Sequence, residues 1–330
     1  MGVKNWNDLI PWRWISADEL KPRVIAIDAP NYLTRRHQAY AYGTKQSIER
    51  IPTSHFSASL GIIKSFLSKG FLPVFVFDGP PEVLKRPSNP HLIIKSSELY
   101  NRYRSTKNLF DTHIAEPLAN SAGLFWYFSV LHIKELCSAA GIPAVTAASE
   151  AEMTAAVLVK DGLAGTTLSN DVDALLFGSP HVTRTIQLGK NLIERCSAVD
   201  LESNTKLDLN RLRDLAILCG CDFHNGVKGV GPRKGSVLLH RFGNLERVLK
   251  SKAYTSSEIE ELLIAREVFE EPSYISTKGM NLSLCAPIPH QLIEILEPVL
   301  GREHAETQAN VIVKLWKSFG THQSTLEQWV

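Results

Sequence analysis

The sequence predicts an α/β protein with a central, mostly parallel sheet flanked by helices. Three observations carry that prediction. Val24-Ile25-Ala26-Ile27 and Phe71-Leu72-Pro73-Val74-Phe75-Val76-Phe77 are near-continuous apolar runs, the pattern of strands buried on both faces. Between them, Leu60 to Lys69 repeats its apolar residues at helical spacing. Each apolar run closes on an aspartate, Asp28 and Asp78. In open parallel sheets the functional groups gather at the carboxyl ends of the strands. A helix cap is the ordinary alternative for either aspartate taken singly.

Composition sets the bounds. At 330 residues, 44% hydrophobic and 21% charged, the chain is a globular protein with ample core, one large domain or two ordinary ones. It shows no apolar run of membrane-spanning length and no basic-plus-apolar leader, so a cytoplasmic, nucleoid-associated location is expected. Cys137, Cys196, Cys219, Cys221 and Cys285 follow no framework spacing and read as buried free thiols.

Taken in order, the chain next shows a stretch from Pro80 to about Phe125 with weak periodicity. Pro87 and Pro90 interrupt it, and Lys85, Arg86, Lys95, Arg102, Arg104 and Lys107 gather there with Tyr100, Tyr103 and Phe110. Cations interleaved with rings suit single-stranded nucleic acid; a solvated helical insertion is the competing reading. Tyr127 to Ala140 reads as a helix and Ile142 to Val145 as a short strand. Ser149 is the expected N-cap of the next helix, placing Glu150 and Glu152 in an acidic first turn.

Ser169-Asn170-Asp171-Val172-Asp173 follows a β-prone run, Thr166-Thr167-Leu168. Asp171 and Asp173 make an all-oxygen pair of the kind Mg²⁺ or Mn²⁺ prefers, although Asp-x-Asp also serves as a turn device. His181 to Ile186 reads as a strand and Leu207 to Cys219 as a helix. Gly220-Cys221-Asp222 then leads into Val227-Lys228-Gly229-Val230-Gly231-Pro232-Arg233-Lys234, a Gly-rich turn between two helices with Pro232 at a first-turn position. Its amides, with Lys228, Arg233 and Lys234, form a phosphate cradle that grips duplex backbone without reading sequence. Residues 255–320 are expected to be mostly helical. In the last eight residues, Gln323, Leu326 and Trp329 recur every three residues, as one helical turn presenting an apolar plug.

Together these stretches resemble the flap endonuclease family of structure-specific 5′ nucleases, in particular its archaeal members. The matching motifs are Met1-Gly2, Asp28, Phe77-Asp78-Gly79 with Lys85, Glu150-Ala151-Glu152, and Asp171-Val172-Asp173 with Phe177-Gly178. Gly220-Cys221-Asp222 leading into Gly229-Val230-Gly231-Pro232 completes them. The resemblance implies a single nuclease domain over 1–320, with a helical arch near 80–125 and a helix–two-turn–helix element near 210–245. A clamp-binding tail would occupy 321–330. It further implies that Asp28, Asp78, Glu150 and Glu152 hold one Mg²⁺ and that Asp171, Asp173 and Asp222 hold a second, with Mn²⁺ as a substitute. Lys85 would contribute positive charge at the scissile phosphate, with Arg86 beside it on the arch. Gly2, Lys228, Gly229, Gly231, Arg233 and Lys234 would contact branched DNA bearing a 5′ flap. Gln323, Leu326, Trp329 and Val330 would dock a sliding clamp (PCNA), the protein itself being a monomer.

Charge agrees with this division. Of 34 acidic side chains against 36 basic ones, seven belong to the expected metal site, which leaves a surplus of nine basic groups elsewhere. A basic surface around an acidic hole is what a metal-dependent nuclease needs. The chain also departs from the family pattern. The arch arginine expected two turns after Lys85 is Leu92, the template-stacking tyrosine position is Thr34 with Tyr32 nearby, and Val330 stands where an aromatic is common. Two rival functions remain: an exonuclease or gap endonuclease on nicks or RNA–DNA ends, and a non-catalytic, clamp-tethered junction binder.

Overall fold

The computed structural model describes residues 3, 6, 8–34, 54–80, 90–271, 276–280 and 282–327, from 320 onward as backbone alone. Its contacts divide the chain into two units, Met1–Asp28 with Asp78–Pro87 and Thr146–Met280, and Ala29–Phe77 with Ser88–Val145 and Asn281–Val330. Elements are numbered along the chain.

In the first unit, five strands lie in the order β1 (Arg13–Ser16), β7 (Leu192–Ser197), β6 (His181–Gln187), β5 (Thr166–Leu168), β2 (Val24–Asp28). β2, β5 and β6 are mutually parallel, with Ile27 opposite Leu168 and Leu168 opposite Thr183. β7 pairs antiparallel with β6, and β1 antiparallel with β7, so the sheet is mixed. Neither β1 nor β7 is legible from the sequence. Arg-Trp-Ile-Ser is short and half-exposed, and Leu-Ile-Glu-Arg-Cys-Ser alternates too weakly to stand out. Thr166 and Thr167 are fully buried on β5, and the Thr166 and Thr183 hydroxyls satisfy each other at 2.9 Å.

The helices of this unit are α6 (Ala151–Lys160), α7 (Asp173–Leu176), α8 (Ala198–Thr205), α9 (Leu209–Cys219), α10 (Pro232–Phe242), α11 (Leu245–Ser251) and α12 (Ser256–Glu270). One core joins them, in which Leu175, Phe177, Leu215, Leu218, Leu239 and Phe269 are buried. Asp214 ties α9 to α11 and α12. Its Oδ2 accepts the Leu245 N–H at 3.0 Å at the start of α11, and its Oδ1 accepts from Arg266 of α12.

The second unit holds α1 (29–34), α2 (Ser54–Leu67), β3 (Leu72–Phe77), α3 (Pro90–Thr106), α4 (Thr112–Asn120), α5 (Ala122–Ala140), β4 (Ala144–Thr146, its last residue in the first unit), α13 (Pro289–Leu300) and α14 (Arg302–Glu327). Every residue of β3 is buried, as its unbroken apolar run predicts. Pro90 does not break the chain: it opens α3, where a missing N–H costs nothing.

The aromatic residues of the basic stretch are corrected by the structure. Tyr100 and Tyr103 are buried, 6% and 3% exposed, and with Leu99 they seat α3 on Phe128 of α5. They form core and offer no ring to a base; Phe110 alone of the three is exposed. Three of the cations are also engaged: Arg102 pairs with Asp111 at 3.1 Å, Arg104 with Glu135 at 3.2 Å and Lys107 with Glu294 at 2.8 Å, whereas Lys95 is exposed. Thus 90–125 is a packed helical layer. Lys85 and Arg86 lie outside the described residues. None of the five cysteines is disulfide-bonded, but Cys285 is exposed, so the buried-thiol reading fails there. Among the described residues no helix is long and apolar enough to cross a membrane.

One polar pair sits in this unit's aromatic core. His55 Nε2 and His132 Nδ1 are 3.0 Å apart, both rings buried among Phe56, Phe125 and Phe128. Burial holds the His132 imidazole down to about 3. The unfolded chain takes up this proton near 6.5 and the folded chain does not, so the neutral pair's contribution is complete above about pH 6.5 and drains away toward pH 3. Urea unfolding between pH 6 and 4 is expected to steepen by about 1.4 kcal/mol per pH unit from this group, a slope that His132→Phe removes.

Candidate metal centre and nucleic-acid interface

The strand register builds one side of the site. Because Ile27 and Leu168 are opposite each other, Asp28 and Ser169 leave β2 and β5 side by side. Asp28 is buried, and its Oδ2 accepts the Ser169 hydroxyl at 2.9 Å. The same Ser169 oxygen accepts the Asp171 N–H at 3.1 Å. Asp171 turns its own Oδ1 to the Val172 N–H at 2.8 Å, so the turn-device reading of Asp-x-Asp is correct for half of the pair. Asp173 opens α7 and is 1% exposed, and its Oδ1 accepts the Val3 N–H at 3.0 Å. Sequence reasoning misses the Val3 amide, since a backbone donor leaves no side-chain signal.

The other side is built by a close backbone crossing. Gly79 donates its N–H to the Ser149 carbonyl at 2.7 Å, and a Cβ on Gly79 would sit 2.1 Å from the Ala147 carbonyl oxygen. Only glycine permits that approach. It brings Asp78 to the start of α6, where Asp78 Oδ1 accepts the Ala151 N–H at 2.9 Å. Ser149 is therefore not the N-cap. Glu150 holds the cap position without a side-chain cap bond, and a carboxylate from elsewhere in the chain supplies the acceptor. Glu150 is buried at the cap, and Glu152 lies half-buried in the first turn.

These two sides meet at Glu152, Asp171 and Asp173, which bring one carboxylate oxygen each to within 4.8 Å of one another. This group crosses the expected division of ligands, since Glu152 was assigned with Asp28 and Asp78. Burial, then the charge of Asp171, push the Asp173 carboxyl well above the ordinary carboxylate range; Asp222 adds to the repulsion and the Val3 amide opposes it. Burial also pushes the Asp171 carboxyl up. Such a set is fully ionised only with cations among it. Its donors are all oxygen, the choice of a hard divalent ion, so the residues present fit Mg²⁺ or Mn²⁺.

Asp222 connects this site to the Gly-rich turn. Residues 220–231 join α9 to α10, close to the limits the sequence predicts. Gly220 and Gly226 have φ of 94° and 86° and cross so closely that a Cβ on Gly226 would lie 2.5 Å from the Gly220 nitrogen. Val227 N–H returns to the Leu218 carbonyl at 2.9 Å, and Lys234 Nζ donates to the Gly229 carbonyl at 3.1 Å. Gly231 caps α10 with Pro232 as its first residue. Lys228, Gly229, Arg233 and Lys234 are exposed around a concavity of about 450 Å³ lined by Asn225 to Gly231. A helix N-terminus, mobile cations and a turn without bulky side chains make an anion seat.

Gly2, Trp329 and Val330 lie outside the described residues. The backbone is helical at Gln323 and Leu326, whose side chains are not described.

Two outcomes follow from this geometry. Asp173→Asn keeps an acceptor for Val3 but removes one charge, so in EDTA at neutral pH the variant is expected to melt at or above the wild-type temperature, while wild type alone is expected to melt higher in Mg²⁺. Calorimetry in EDTA and in Mg²⁺ reads both. Gly226→Ala puts a Cβ against backbone, at a cost of more than about 1 kcal/mol. Relieving that strain reshapes the turn. Duplex affinity is expected to fall on the order of 10-fold by fluorescence anisotropy, with Mn²⁺ binding unchanged.

Comparison with known proteins places this arrangement. A family model described as the XPG N-terminal domain matches residues 1–98, and one described as the XPG I-region matches residues 141–222. Flap endonuclease 1 of Archaeoglobus fulgidus is 32% identical over 341 residues, 98% of each chain. That of Methanosphaera stadtmanae is 30% identical over 337 residues and all of both chains. Among solved structures, flap endonuclease-1 from Methanococcus jannaschii superposes with a TM-score of 0.69 at 24% identity, over 96% of this chain and 99% of that one. The catalytic core of Rad2 in complex with DNA substrate gives 0.65 at 23% identity, over 92% and 96%. At those identities the structures speak for the fold, and the full-length sequence matches for the family: the chain belongs to the flap endonuclease 1 family of structure-specific 5′ nucleases.

Proposed function

We propose that this protein is a Mg²⁺-dependent endonuclease that cuts branched DNA where a single-stranded 5′ flap leaves the duplex. The observation that carries the reading is the convergence of Glu152, Asp171 and Asp173 at one sheet edge, with Asp28, Asp78, Glu150 and Asp222 supplied by the adjoining segments. A binder gains nothing by concentrating negative charge where phosphate must lie. Asp28, Asp78, Glu150 and Glu152 would hold one cation in this reading, and Asp171, Asp173 and Asp222 a second. The bound cations supply an activated water and neutralise charge on the phosphodiester and its leaving oxygen.

The chain's own groups do the rest. Lys85 adds positive charge at the scissile phosphate, with Arg86 beside it, and Gly2 lies near the junction. Lys228, Gly229, Gly231, Arg233 and Lys234 hold duplex backbone without reading bases, so recognition is of junction shape. Gln323, Leu326, Trp329 and Val330 dock a sliding clamp (PCNA) and bring a nucleoid-associated monomer to sites of Okazaki fragment maturation and repair. A second reading keeps the chemistry and changes the substrate to nicks, gaps or RNA–DNA ends. It is favoured by Leu92 at the expected arch arginine and by the burial of Tyr100 and Tyr103.

The test is cleavage of an end-labelled double-flap substrate in Mg²⁺ and in EDTA, beside a flap with a blocked 5′ end. Metal-dependent incision at the junction, lost on blocking, is expected; incision confined to nicks and gaps would replace the first reading with the second. Asp173→Ala should lose at least about 100-fold in cleavage, the upper end of what even outer partners of a metal site cost. It should retain flap binding in Ca²⁺, and cleavage that survives this change would sink both readings. Affinity should fall steeply with salt as phosphate contacts release counterions.

A further inference from the structure

One hydroxyl joins the two halves of the acidic site. Ser169 is 0% exposed and its backbone is held by β6, its N–H donating to the Thr183 carbonyl at 3.1 Å. A serine hydroxyl has one hydrogen to give and lone pairs to receive. Here the hydrogen goes to Asp28 Oδ2 at 2.9 Å, and a lone pair takes the Asp171 N–H at 3.1 Å. Both bonds lie within hydrogen-bonding range and both involve residues of the candidate ligand set. The strand register sets up the contact. With Ile27 opposite Leu168, Asp28 at the end of β2 and Ser169 just past the end of β5 come side by side.

We infer that Ser169 is a positioning residue of the metal site: its hydroxyl fixes the Asp28 carboxylate and the Asp171 backbone against each other, and so couples the two groups of ligands. This rests on the metal-site reading above and goes beyond it, since Ser169 is itself no ligand in that reading. The hydroxyl occupies Oδ2 of Asp28 and so orients the carboxylate. On the other side it pins the Asp171 amide, so the Asp171 carboxylate cannot drift while Val172 and Val3 hold their own partners. Partners that orient ligands in this way are worth about 10–100-fold in metal affinity or turnover. Alanine at 169 removes both bonds, while the backbone bond to Thr183 survives.

The experiment is Mn²⁺ titration of the full-length chain, read by the electron paramagnetic resonance signal of free Mn²⁺, with melting temperatures measured in EDTA. Wild type, Ser169→Ala, Asp28→Asn and Asp173→Asn are compared, with kcat and KM on a flap substrate as a second readout. The expected result is a loss of Mn²⁺ affinity of about 10-fold or more in Ser169→Ala, at an unchanged melting temperature in EDTA. The accompanying fall should be in kcat, with KM little changed. Should Ser169→Ala melt lower in EDTA, Ser169→Cys, which fills the space but donates weakly, is read in its place and is expected to show the same loss. If either stably folded variant binds Mn²⁺ within about 2-fold of wild type while Asp28→Asn and Asp173→Asn lose it, the inference about Ser169 is overturned and the metal site stands. If Asp28→Asn and Asp173→Asn also bind like wild type, the metal-site reading fails and the Ser169 inference fails with it.

Discussion

The first unit is arranged around the repulsion among carboxylates that it brings together. Glu152, Asp171 and Asp173 lie close enough to share a cation, and burial makes their charges costlier still. The chain answers with fixed donors. Val3 and Val172 amides face Asp173 and Asp171, the Ala151 amide faces Asp78, and the Ser169 hydroxyl faces Asp28. Each donor is backbone or buried, so none can swing away when charge is removed. The donors set where the carboxylates point and offset part of the repulsion. What they leave uncompensated is what a divalent cation would supply in the proposed reading.

Each donor traces to a feature of the fold. Parallel pairing of β2 with β5 puts Asp28 beside Ser169, and the Gly79 crossing puts Asp78 on α6. The helix then receives a carboxylate where its own Glu150 makes no cap bond. A first turn whose leading N–H is answered by a distant aspartate ties the helix to that aspartate's segment. Local structure and site geometry are the same interaction seen from two ends.

Much of this was legible, and the residues show why. Strand-end aspartates and the Gly-rich turn carry their own punctuation: an apolar run that stops on Asp, or glycines placed where backbone must cross. β3 was readable because burial on both faces leaves no polar interruption, whereas β1 is short and half-exposed and β7 alternates too weakly to stand out. Ser149 was misread because Ser-x-x before a helix is the commonest capping grammar, and nothing local reveals that Asp78 takes over. Tyr100 and Tyr103 were misread for the opposite reason. Their charged neighbours on α3 advertise a solvated surface, while the aromatic residues they meet on α5 lie more than twenty positions away.

That misreading changes where DNA affinity resides. Arg102, Arg104 and Lys107 are each matched by Asp111, Glu135 and Glu294, so their field is largely cancelled before any phosphate arrives. The exposed cations of the Gly-rich turn differ. Lys228 and Lys234 form no ion pair among the described residues, and Arg233 meets only the exposed Asp8 at 3.9 Å. A distant, solvated pair of that kind contributes little and yields readily to phosphate. In the proposed reading these cations give sequence-independent affinity to the turn between α9 and α10, which Asp222 joins in sequence to the candidate metal site. If the turn grips duplex and the carboxylates cut it, the fold itself would set the distance between the two, and the position of the cut would follow from shape without any reading of bases.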